Sequence, residues 1–81
     1  MKISNGSKDR CRQKFQYKGI GKIINRVCNL FENEDIEAII SECIYDSDNP
    51  IMYNVLLYLI RENCKDSKII NELKDFQYIY E

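Results

Sequence analysis

Between Ile51 and Ile60 the chain carries a single polar residue, Asn54. Asn49 offers an N-cap just ahead of this run, and Pro50 suits a first helical position, so the pattern predicts a helix over 50–63. A helix that is apolar nearly all round is either central in the core or half-covered by a partner. Its cover must come from the remaining elements of the 81-residue chain or from another molecule. The run is far shorter than the roughly 18 apolar residues of a membrane span, so no membrane partner is expected.

The other elements read as helices too. Ile20, Ile23, Ile24, Val27, Leu30 and Phe31 recur at spacings of three and four, which predicts a helix over 21–32. Asn33 is both a stop and a possible N-cap, with Glu34 and Asp35 placing negative charge at the next helix start. Ile36, Ile39, Ile40 and Cys43 then mark a helix over 34–45. Tyr45 to Pro50 is the clearest punctuation in the chain. After helix 50–63, Asp66 or Ser67 caps a fourth helix over 68–76, presenting Ile69, Ile70, Leu73 and Phe76. A cap followed by an aliphatic three and then seven residues later recurs at Asn33, Asp48 and Asp66. Any capped amphipathic helix gives that pattern, and no repeat-protein signature accompanies it. The expected fold is all-α, a compact array of about four short helices. Residues 76–81 either continue the last helix or leave it as a short strand. Phe-Gln-Tyr stands at 15–17 and again at 76–78, so the two segments would pair if both were extended.

Residues 1–18 read differently, as a flexible or extended basic arm ahead of a helical domain over 19–81. They lack an apolar helical stripe, and Gly19 and Gly21 break the chain behind them. Residues 1–26 hold eight basic residues against one acid, a charge of +7, whereas 27–81 hold four against twelve, a charge of −8. The near-neutral total conceals a dipolar molecule. Lys and Arg neutralise phosphates and an aromatic stacks on an unpaired base. Residues 8–26 are thus the candidate nucleic-acid or acidic-partner segment, through Arg10, Arg12, Lys14, Phe15, Tyr17, Lys18, Lys22 and Arg26. Gly19-Ile20-Gly21-Lys22 lacks the spacing of a phosphate loop.

The acids gather around the second helix, with Asp46 and Asp48 following in the loop. Glu34, Asp35 and Glu37 are candidate contacts for a protein partner through charge complementarity. The chain has six tyrosines, a residue enriched at interface hot spots. Tyr53, Tyr58, Tyr78 and Tyr80 join the candidate protein-contact set. A homo-oligomer through helix 50–63 is the further expectation if a second copy supplies its cover.

The absences bear on chemistry. The chain has no His and no Trp, which removes the commonest general base and metal ligand and excludes Ser–His or Cys–His nucleophile activation. The expectation is a non-enzymatic chain with no cofactor and no metal. Cys11, Cys28, Cys43 and Cys64 are too widely spaced for a typical zinc site. Met1 to Gly6 lacks the apolar run of a secretory leader, so the thiols are expected reduced, in the cytoplasm or nucleus. Abundant Ile, Asn, Lys and Tyr reflect A/T-rich codons, as in many phages, large DNA viruses and intracellular parasites. The function expected is a small protein-interaction module: an inhibitor, adaptor or accessory subunit, suited to a viral or mobile-element origin. The alternative is an RNA-binding or ribonucleoprotein subunit acting through the basic arm.

Overall fold

The computed structural model of the chain describes residues 1–45 and 49–79. Five α-helices appear in them: α1 (Asn5–Lys14), α2 (Ile20–Asn33), α3 (Ile36–Ile39), α4 (Pro50–Asn63) and α5 (Ser67–Leu73). There is no strand among the described residues, so the all-α expectation holds. Asp46, Ser47 and Asp48 lie outside the described residues, as does Tyr80.

The apolar run forms the central helix. Asn49 Oδ1 accepts from the N–H groups of Ile51 and Met52 at 3.1 and 3.2 Å, and Pro50 follows at the first helical position. Val55, Leu56, Leu57 and Leu59 are fully buried, as is Asn54. Helices α1 and α2 and the turn after α3 pack against α4. Its own chain thus covers these residues of helix 50–63, while Ile51, Met52, Tyr53 and Tyr58 are half-buried. Each buried Leu contributes about 1.5–3 kcal/mol. The Cα radius of gyration is 11.5 Å, close to the ~12 Å expected of a chain this long. Among the described residues no helix is long and apolar enough to cross a membrane.

The largest departure from the sequence reading is the basic arm, most of which is helix α1. Ser4 caps it, with Oγ accepting from Ser7 N at 3.2 Å. Its inward line is Ile3, Ser7, Cys11 and Phe15, and all of them are buried. These residues fall at spacings of four, one face of a helix. Ser7 and Cys11 do not register as apolar, which is why the stripe escaped the pattern reading. The helix is tertiary in origin: its apolar face is too thin to stand alone, and docking on α4 supplies the rest.

Helix α2 begins after Gly19, the one glycine with positive φ (79°) among the described residues. A side chain there would be strained. The predicted helix 34–45 is displaced and altered. Asp35, not Asn33, is the N-cap, its Oδ1 accepting from Glu37 N at 3.3 Å. Asn33 instead ends α2, its amide donating to Asn29 O at 2.9 Å. Past Ile39 the helix widens over Ile40–Ile44, and Tyr45 N reaches back five residues to Ile40 O at 3.2 Å. A widened turn advances less per residue, which brings Ile44 back in line with Ile39 and Ile40. All of these isoleucines are buried, and Cys43 is left half-buried.

Helix α5 is shorter than the predicted 68–76. Asp66 caps it, accepting from Lys68 N at 2.9 Å. It ends at Leu73, whose carbonyl accepts from Phe76 N in a tight turn at 3.1 Å and from the Arg61 guanidinium at 2.8 Å. Arg61 also donates to Phe76 O, so the last carbonyls of the helix find partners outside it. Residues 74–79 neither continue the helix nor form a strand. They run back along α4 as an irregular strap.

Candidate interaction surface

Two assemblies, one polar and one aromatic, tie distant parts of the chain to α4. The first locks α1. Arg10 Nη2 and Nε reach Glu62 Oε1 at 2.6 and 2.9 Å, and Nε also reaches Oε2 at 3.2 Å. The buried Ser7 hydroxyl donates to Glu62 Oε1 at 2.9 Å and accepts from Asn63 Nδ2 at 3.1 Å. The Arg10 hydrogen bonds, followed by that of Tyr58, lower the Glu62 carboxyl from its ordinary 4.5 to about 2. Burial first, then Glu62, pushes the Tyr58 hydroxyl up to about 12.

This has a consequence in acid. A carboxyl held below its unfolded value stabilises the fold fully above about pH 4.5, and the benefit is lost as pH falls towards 2. Arg10 is solvent-facing, its side chain 57% exposed, so water and salt screen the pair. Glu62→Gln is expected to flatten the acid limb: the urea midpoint should fall less between about pH 5 and pH 3 than in the wild type. An equal fall in both chains would mean that this pair does not carry acid sensitivity.

The second assembly is aromatic. Phe15 at the end of α1 stacks on Tyr17 at 6.5 Å between centroids, and meets Tyr58 of α4 edge-on at 5.8 Å and Tyr78 of the strap at 5.4 Å. Lys14 Nζ lies 5.1 Å from the Tyr78 ring centre, and the Arg61 guanidinium carbon lies 5.2 Å from it. Both contacts are in cation–π range. The two Phe-Gln-Tyr segments do meet, but through rings rather than as paired strands. Three side chains of α4 fasten the strap. Tyr53 Oη donates to Gln77 O at 2.9 Å. Asn54 Nδ2 donates to Ile79 O at 2.5 Å while its Oδ1 accepts from Ile79 N at 2.8 Å. Arg61 holds Leu73 O and Phe76 O. A groove of about 540 Å³ opens beside the strap, lined by Arg61, Ile70, Lys74, Phe76, Gln77 and Tyr78.

The structure therefore joins residues that the sequence placed in two separate sets. Lys14, Phe15 and Tyr17, expected on a nucleic-acid arm, gather with Tyr58 and Tyr78, expected at a protein interface. Arg10 sits beside them in its ion pair, and Tyr53 lies further along α4. Arg12 is elsewhere, paired with Asp9 at 3.0 Å. Lys22 and Arg26 fall four residues apart along the solvent side of α2, opposite buried Ile24 and Phe31, and Lys18 stands in the turn just before that helix; all three are exposed. Glu34, Asp35 and Glu37 stand at the start of α3, away from the aromatic group, with Asp35 occupied as its cap. Ser7, Asn54, Arg61 and Glu62 were missed. Asn54 did carry a signal: an amide inside an apolar helix needs a buried partner.

All four thiols are free; Cys11 and Cys28 are buried, and Cys43 and Cys64 are half-buried. Burial pushes the Cys11 thiol up to about 12, and Cys28 and Cys43 are raised for the same reason. Such thiols are protonated at neutral pH and behave as small apolar groups. Compared with protein-family models, curated proteins and solved structures, the chain shows no match.

Proposed function

We propose that this chain is a small non-enzymatic interaction module that binds another protein, as an inhibitor, adaptor or accessory subunit. One observation carries the reading. The half-buried rings of Tyr17, Tyr58 and Tyr78 are gathered with Lys14 and Arg61 around buried Phe15. Tyr and Arg in such partly covered clusters are the residues on which protein interfaces concentrate their binding energy. The test is capture of partners from native extract, with nuclease added, by the wild type and by Tyr17→Ala. A defined protein retained by the wild type and reduced by about tenfold or more with Tyr17→Ala supports the surface. Equal capture by both chains places the contact elsewhere.

A second reading keeps nucleic acid as the partner, with the exposed cations Lys22 and Arg26 on α2 and Lys18 in the turn before it as its specific support. The arm-threading version is weakened, because α1 is docked and Arg10 engages Glu62. Charge reversal at Lys18, Lys22 and Arg26 is expected to abolish RNA binding if this reading is right. It would also flatten the salt dependence by about one unit of slope for each phosphate no longer neutralised. RNA binding that survives the reversal removes it.

A further inference from the structure

The way α4 holds the strap goes beyond fastening a loose segment. Every hydrogen bond described from Tyr53, Asn54 and Arg61 to the strap ends on a peptide group, not a side chain: Leu73 O, Phe76 O, Gln77 O, and both the C=O and N–H of Ile79. Asn54 is fully buried, and its amide forms with Ile79 the two-bond exchange that neighbouring strands make with one another. Recognition of this kind is indifferent to the sequence bound; it reads backbone groups, as strand addition to a sheet edge also does. Selectivity comes from one side chain. Tyr78 lies between Lys14 and Arg61 and against Phe15 and Tyr58.

We propose that this face of α4 is a recognition cleft for an extended segment of a partner protein that carries an aromatic residue with acidic neighbours, and that residues 76–79 are its resident intramolecular occupant. The proposal rests on the reading of the chain as a protein-interaction module and names the site and the partner's chemistry. Charge selects the acidic neighbours: Lys14 and Arg61 flank the ring position, and within the strap Asp75 directly precedes the occupant residues 76–79. Release of the occupant withdraws the half-buried rings of Phe76 and Tyr78 from the core. The strap has no regular structure, and Ile79 is 39% exposed.

The test uses the full chain and a synthetic peptide of its own residues 74–81. In Tyr78→Ala the resident anchor is lost while the cleft residues of α1 and α4 are untouched. The peptide is expected to bind this variant at least about tenfold more tightly than it binds the wild type, whose cleft is filled. Adding Asn54→Ala to the same chain is expected to remove the binding. Equal affinity for wild type and Tyr78→Ala, or binding indifferent to Asn54, overturns the proposal.

If Tyr78→Ala does not fold, amide exchange in the wild type decides. The Ile79 N–H should exchange about a hundredfold or more faster than the Leu57 N–H and ignore low denaturant, as local opening requires. Matching rates and matching denaturant dependence would mean that the strap leaves only when the whole fold does, and the proposal fails. A protein captured from extract independently of Asn54 and Arg61 would leave the interaction-module reading standing while the cleft falls.

Discussion

Cys11→Asp is expected to destabilise the fold by about 3 kcal/mol or more, whereas Cys11→Ala should cost only about 1 kcal/mol. Cys11 has no exposed surface, and Arg12, a cation whose charge reaches it, is already paired with Asp9 at 3.0 Å. Glu62, the acid whose charge acts on this thiol, is already satisfied by Arg10 and Ser7. An ionised Asp must therefore stay unpaired, bind a proton, or lever α1 off α4. The last route exposes Ile3 and Phe15 together with the side of Tyr58 that Phe15 covers. Burial of such side chains is worth about 1.5–3 kcal/mol each, which sets the ceiling on the loss. Far-UV circular dichroism should show the partial loss of a ten-residue helix, and urea denaturation gives the energy. Gln13→Asp on the exposed side of the same helix makes the same change of charge and should stay within about 0.5 kcal/mol. A mobile basic arm would tolerate all three substitutions equally, so one denaturation series separates the arm read from the sequence from the docked helix of the structure.

Why that arm misled, while the core did not, follows from what each element spends on stability. Helices α2 and α4 carry their own cover instructions: a full stripe from Ile20 to Phe31, and a run from Ile51 to Ile60. Pattern alone finds them, and the caps at Asn49 and Asp66 were legible for the same reason. Helix α1 takes its stability from a partner. Its inward line contains Ser7 and Cys11, and its hold on α4 is largely polar, through Arg10, Glu62 and Asn63. Such contacts join residues more than fifty positions apart, and no local period encodes them. The end of α5 was illegible in the same way, because the side chain that satisfies its last carbonyls, Arg61, comes from another helix. The candidate surface inherits this split. Its residue types were foreseen, but their convergence was not, since Phe15, Tyr58 and Tyr78 meet only after α1 and the strap have both come back to α4.

The central position of α4 leads to the other large effect. Leu57 and Leu59 point to nearly opposite sides of the helix, about 200° apart at 100° per residue, and both are fully buried. A helix half-covered by a second copy would show an asymmetry: truncation on the covered side would weaken association, and its cost would depend on protein concentration. With both sides covered by one chain, Leu57→Ala and Leu59→Ala should each cost about 2–5 kcal/mol. Neither value should change between protein concentrations about a hundredfold apart. Losses of that size approach the whole stability expected of a domain of this length, so each variant should lie near its unfolding midpoint at room temperature. A cost at one position that shrinks as protein concentration rises would show that the cover on that side comes from another molecule. Equal, concentration-independent costs at both positions would place the whole of the α4 interface within a single chain, leaving the aromatic cluster, the strap and the cations of α2 as the surfaces available to a partner.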